Sequence, residues 1–140
     1  MIKILFICHG NICRSPMAEF VMKDMVKKAG MEDLFFISSS ATSTEEIWHG
    51  VGNPVYPPAQ RELAKHGISC DGKRAIQITA EDYDKYDIIL CMDTNNMRNI
   101  KRTIPQDPEK KIHKLMDFAY GGDVADPWYT GDFETTYRDV

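Results

Sequence analysis

Cys8 and Arg14 bracket the run Cys8-His9-Gly10-Asn11-Ile12-Cys13-Arg14-Ser15-Pro16, with a nucleophile at one end and a guanidinium at the other. The spacing lets residues 9–13 curl around a tetrahedral oxyanion, with sulfur below the central atom and guanidinium beside it. Arg14 offers a planar fork that fits two phosphate oxygens, which a lysine cannot match. The attacking form of a cysteine is its thiolate, and an ordinary free thiol is only about 3% ionised at pH 7. Backbone N–H groups of residues 9–14, the Ser15 hydroxyl and the Arg14 charge together favour the anion at Cys8. A bare Cys-x5-Arg is weak, because a buried cysteine and a turn arginine would leave the same trace. Here the flanking sequence makes it specific.

Residues 2–8 (Ile-Lys-Ile-Leu-Phe-Ile-Cys) read as a buried strand. From Pro16 the period changes: Ala18, Val21, Met22, Met25 and Ala29 recur at helical steps, and Gly30 follows as a stop. Ser15 is the natural N-cap, and Pro16 suits the first turn, where its missing N–H is no loss. The loop therefore joins a strand's C-terminal end to a helix N-terminus, where free N–H groups and the helix dipole attract anions.

Further strands are expected at 34–40, 87–91 and, weakly, 111–115, with a short extended stretch at 75–78. Helices are expected at 57–66, after an N-cap at Thr79, at 94–102 and from 131. This alternation predicts an α/β fold of parallel βαβ units. The 140 residues suit one domain (1–140), with no repeat, linker or low-complexity segment. A net charge of −4 argues against a nucleic-acid partner, and Lys110, Lys111 and Lys114 read as a solvated face. No apolar run reaches membrane-spanning length, and the N-terminal stretch is too short for a signal peptide. The four cysteines show no zinc spacing, so no metal is expected and a reduced, cytoplasmic protein fits.

The loop Cys8 to Pro16 closely resembles the signature of the low-molecular-weight protein tyrosine phosphatases. The resemblance continues through Ser40-Ala41-Thr42-Ser43, Lys65-His66-Gly67-Ile68, Met92-Asp93 and Asp126-Pro127-Trp128-Tyr129, covering nearly the whole chain. It implies a three-layer α/β fold around a four-stranded parallel sheet, with the phosphate loop between the first strand and first helix. It also implies cofactor-free, metal-independent hydrolysis of phosphotyrosine proteins or small aryl phosphates through a phosphocysteine. Cys8 would be the nucleophile. Arg14 and the loop residues His9, Gly10, Asn11, Ile12, Cys13 and Ser15 would hold the phosphate. Asp126 would be general acid and then base, its backbone kept extended by Pro127. Trp48, Trp128 and Tyr129 would wall a slot for a phenyl ring. The resemblance further implies a network of Asn11, Ser40 and His66 bracing the loop, with Asp93 pairing with Arg14 or bracing it too. In such phosphatases a second loop cysteine, here Cys13, can trap an oxidised nucleophile as a reversible disulfide.

The last helix is expected to be shorter than is usual in that family, about two turns, leaving a monomer or weak self-association. Three other readings compete. Arsenate reductases share Cys-x5-Arg, but Cys91 has no companion cysteine after it. Protein-arginine phosphatases of the same family tend to carry threonine where this chain has Ile12, whose larger apolar side chain favours phosphotyrosine. A phosphopeptide-binding module without turnover would not need both Cys8 and Asp126.

Overall fold

A computed structural model of the chain describes residues 1–119, 121–124, 126–127 and 131–140. Four strands form one sheet in the order β2-β1-β5-β6, built from β1 (Ile2–Cys8), β2 (Phe35–Ala41), β5 (Ile88–Cys91) and β6 (Ile112–Lys114). Every neighbouring pair is parallel. The two short strands β3 (Ile47–Trp48) and β4 (Val51–Gly52) make a separate antiparallel hairpin.

The sheet is covered on both faces, which is why β1 reads as a continuous apolar run. Ile4, Phe6 and Cys8 of β1, with Ile37 of β2, pack under α1 (Arg14–Lys28) beside Ala18, Leu90 and Met92. Leu5 and Ile7 face the other way, with Ile78, Tyr86, Ile89, Cys91 and Ile100. The short helices α3 (Asp82–Lys85) and α4 (Thr94–Asn99) belong to that second face, where Tyr83 and Met97 pack. A further cluster of Met17, Val55, Ala59 and Leu63 joins α1 to α2 (Pro57–Lys65), with Phe133 and Tyr137 of α5 (Phe133–Asp139) against it. The result is the three-layer α/β architecture with a parallel sheet that the resemblance implies.

Element boundaries differ slightly from the sequence expectation, for local reasons. The helix expected at 94–102 begins at Thr94, capped by Asp93, and tightens to a 3-10 turn over Ile100–Arg102. Thr79 does not cap α3; its amide instead donates to the Asp82 carboxylate at 2.9 Å. The stretch expected at 75–78 is extended, and the Ala41 amide donates to the Ile76 carbonyl at 2.7 Å. α5 spans two turns, capped by Asp132, whose side chain accepts from the Thr135 amide.

Gly52 locks the hairpin onto the 75–78 stretch. A Cβ at this position would lie 1.9 Å from the Ala75 carbonyl oxygen, a backbone atom that cannot swing aside. Gly52→Ala should therefore destabilise the fold by about 3 kcal/mol, as overpacking against rigid backbone does. Urea unfolding checks this, and a midpoint equal to the wild type would refute the close approach.

Candidate active site

Cys8 is the last residue of β1, paired in register with Ala41 at the end of β2. The chain then turns through 9–13 into α1, whose first helical residue is Arg14. The N-cap is Cys13 rather than the expected Ser15, and it makes no side-chain cap bond. Ser15 thus lies inside the first turn, and its hydroxyl serves the loop: Ser15 Oγ stands 3.0 Å from Cys8 Sγ.

Asn11 carries the loop's tightest turn, with a left-handed φ of 59°. Asparagine tolerates that region better than most side chains, and here its amide group is wholly engaged. Its backbone N–H points at Cys8 Sγ at 3.3 Å. Its Nδ2 donates to Ser15 Oγ at 2.8 Å and to Ser39 Oγ at 2.9 Å, while its Oδ1 accepts the Ile76 amide at 3.1 Å. The loop's carbonyls are held from outside. Those of Cys8 and His9 accept from the Thr42 and Ser43 amides, that of Ile12 from Tyr56, and that of Cys13 from Met17.

Arg14 is 3% exposed yet fully directed. It donates to Asp93 Oδ2 at 2.6 Å and to the Val124 carbonyl at 3.0 Å, and approaches Asp126 Oδ2 at 3.5 Å. Burial opposes its charge, but Cys8, Asp93 and Asp126 outweigh it, so its protonation is reinforced. Asp93 is itself fixed as the cap of α4, accepting the Asn96 amide at 2.7 Å. The Val124 amide donates to the Met92 carbonyl at 2.8 Å.

Cys8, His9, Gly10, Ile12, Cys13, Arg14 and Asp126 share one cavity of about 410 Å³ with Glu45 and Glu46. His9 Nε2 meets Glu45 Oε2 at 2.9 Å on its rim. The two glutamates were not anticipated from sequence; they reach the cavity because residues 45–46 lead into the β3–β4 hairpin.

Three expectations need correction. Trp48 does not line the cavity: it stands on the hairpin, 75% exposed, edge-on to His49. The hairpin's turn, with positive φ at His49 and Gly50, carries the indole outward. The serine that meets Asn11 is Ser39, not Ser40. In β2 alternate residues face opposite sides, and Ser39, level with Phe6, shares the α1 side with Cys8. His66 does not join that network either. It ends α2, lies 3.2 Å from Glu62 Oε2, and stacks on Tyr137 at 3.7 Å between ring centres. Trp128 and Tyr129 lie outside the described residues.

The other thiols differ from Cys8 in their surroundings. Burial, then the neighbouring Cys8 and Asp126, pushes Cys13 far above the ordinary thiol range. Burial, with Asp93 and Cys8, pushes Cys91 up to about 12, and burial with Asp71 raises Cys70. A raised thiol keeps its proton at neutral pH and is a poor nucleophile. Iodoacetamide at neutral pH should therefore label Cys8 and spare Cys13, Cys70 and Cys91 in the folded protein. Peptide mapping by mass spectrometry reads this directly, and prompt labelling of Cys13 would contradict it.

Comparison with known proteins agrees with this geometry. A sequence profile described as "Low molecular weight phosphotyrosine protein phosphatase" matches residues 3–140. The chain is 39% identical over 137 residues to the low molecular weight protein-tyrosine-phosphatase YfkJ of Bacillus subtilis, covering 96% of this chain and 85% of that protein. It is 41% identical over 141 residues to the low molecular weight phosphotyrosine protein phosphatase of Gallus gallus, covering 96% and 86%. The crystal structure of YfkJ superposes with a TM-score of 0.91 at 36% identity, covering 99% of this chain and 86% of that one. That of SP-PTP from Streptococcus pyogenes superposes with a TM-score of 0.85 at 42% identity, covering 99% and 85%. On sequence, fold and the arrangement around Cys8, the chain belongs to the low molecular weight phosphotyrosine protein phosphatase family.

Proposed function

We propose that this protein-tyrosine-phosphatase hydrolyses phosphotyrosine in proteins through a phosphocysteine, without a metal. The observation that carries the reading is the Arg14 guanidinium, buried and aimed by Asp93, beside the Cys8 sulfur and the Asp126 carboxyl in one cavity. A phosphoryl group seated there has its equatorial oxygens against the loop amides and the arginine fork. The in-line attack of sulfur on phosphorus then meets charge stabilisation already in place.

In the first step the S–P bond forms as the bond from phosphorus to the tyrosyl oxygen breaks. Phenol has a pKa of about 10, so its departure as the bare anion is slow, and Asp126 as the acid delivers a proton to the leaving oxygen. In the second step the Asp126 carboxylate takes a proton from water. That water attacks phosphorus, the S–P bond breaks, and inorganic phosphate leaves with the thiolate restored. The Ser15 hydroxyl at 3.0 Å supports the sulfur whenever it carries charge. Ile12 and Cys13 add an apolar side to the cavity, fitting an aryl ester. No described helix is long and apolar enough to cross a membrane. A free-thiol nucleophile favours the reducing cytoplasm as its setting.

The test is turnover of phosphotyrosine, phosphoserine and phosphoarginine peptides in excess chelator. Phosphotyrosine should be the preferred substrate. Cys8→Ser should abolish turnover, and Asp126→Ala should lower kcat by about a hundredfold or more, the range expected for loss of a general acid. Full activity of Cys8→Ser would overturn the mechanism. Preference for phosphoarginine would overturn the substrate reading.

A further inference from the structure

The cavity over Cys8 holds an electrostatic conflict. On the reading above it receives a phosphate dianion, yet Glu45 and Glu46 stand among its lining residues. Like charges brought together in a cleft are costly. Other covered carboxylates have a lysine or arginine beside them: Asp93 has Arg14, Glu19 has Lys23 and Lys73, and Glu62 has Lys65. Among the described residues no lysine or arginine forms an ion pair with Glu45 or Glu46. Arg14 shares the cavity but is directed to Asp93, the Val124 carbonyl and Asp126. Only His9 meets Glu45, and an imidazole is positive only when protonated.

Both carboxylates are held where they are. Glu46 Oε2 accepts the Asn53 side-chain amide at 2.7 Å, and its carbonyl accepts the Asn53 N–H at 2.8 Å. Its side chain lies over the loop, for a Cβ at Gly10 would stand 3.1 Å from Glu46 Cγ. Its charge reaches the loop as well: after burial, Cys8 and Asp126, it too raises the Cys13 thiol. A glutamine would keep the Asn53 bond and the packing on Gly10, so neither contact accounts for the charge. Glu45 stands on the rim with its side chain 69% exposed, within reach of a bound chain.

We propose that Glu45 and Glu46 are specificity-determining residues that select phosphotyrosine flanked by lysine or arginine. The substrate's cation settles against the two carboxylates while its phosphate settles against the loop and Arg14. A neutral neighbour leaves the repulsion in place, and an acidic one adds to it. A single exposed ion pair is worth little, so selection comes from the swing between attraction and repulsion over two carboxylates. The proposal rests on the reading of this cavity as a phosphotyrosine site.

The experiment uses three phosphotyrosine peptides that differ only in carrying lysine, alanine or glutamate on both sides of the phosphotyrosine. A plain aryl phosphate is the fourth substrate. The wild type is compared with Glu45→Gln, Glu46→Gln, the Glu45→Gln/Glu46→Gln double variant and a Glu32→Gln/Asp33→Asn control. The control residues lie just before β2, at the opposite end of the sheet from Cys8. Wild-type kcat/KM should be about tenfold higher for the lysine peptide than for the glutamate peptide at low salt, shrinking at high salt. The double variant should bring the two peptides within about twofold, with each single variant in between. It should also raise kcat/KM for the plain aryl phosphate by about twofold, because a repulsion is removed. These opposite signs separate selection from damage to the fold, which would lower every substrate together. Equal kcat/KM for the lysine and glutamate peptides in the wild type would overturn the proposal, even if a variant fails to fold. An unchanged preference in the double variant would overturn it too, as would an equal loss of preference in the control, which would assign the effect to net charge. Turnover of all three peptides at one rate removes only the selectivity, whereas no turnover of any phosphotyrosine peptide overturns the phosphotyrosine reading itself.

Discussion

The loop around Cys8 exists in its observed shape because one buried asparagine side chain satisfies three neighbours at once. Asn11 sits at a backbone angle that is costly for a residue with a Cβ, of order 1 kcal/mol or more. Its amide offsets that cost by tying the loop to Ser15 in α1, Ser39 in β2 and the extended stretch at Ile76. Three segments far apart in the chain therefore meet at a single planar group. The carbonyls of Cys8, His9, Ile12 and Cys13 are drawn to donors of the surrounding scaffold. A turn built this way is set before any ligand arrives, and little reorganisation is left for the moment of reaction.

Around that turn the charges are arranged with very different exposure. Arg14 is buried and balanced by Asp93, while Asp126 is more open and farther from the guanidinium. The closer, better-fixed carboxylate, Asp93, braces the guanidinium, while Asp126 stands 3.5 Å from it. Glu45 and Glu46 add negative charge along another side of the cavity. Among the described residues that line it, Arg14 brings the one guanidinium.

Much of this was legible in the sequence because it is local. The strand–loop–helix order, the placing of Cys8 and Arg14 at the two ends of one loop, and the parallel alternation all follow from spacing and periodicity within short windows. What was not legible depends on register or on distant segments. Whether Ser39 or Ser40 faces Asn11 turns on the parity of β2 against β1, which only pairing decides. The resemblance implies His66 in the network, whereas the cation beneath the loop is Lys73, from a stretch with no motif of its own. Trp48 carried an aromatic signal, but a two-residue hairpin decides which way an aromatic ring projects. Ser15 has the chemistry of a cap, yet the helix begins one residue earlier and releases its hydroxyl to the sulfur.

Asp93 has two obligations that cannot be separated. One oxygen closes the first turn of α4 and the other receives Arg14. The start of that helix and the aim of the guanidinium are consequently a single mechanical unit. Drift in the sequence of α4 is then screened twice, once for whether the helix forms and once for where the arginine points. A short surface helix that elsewhere would be free to vary is thereby held to the tolerance of the catalytic centre.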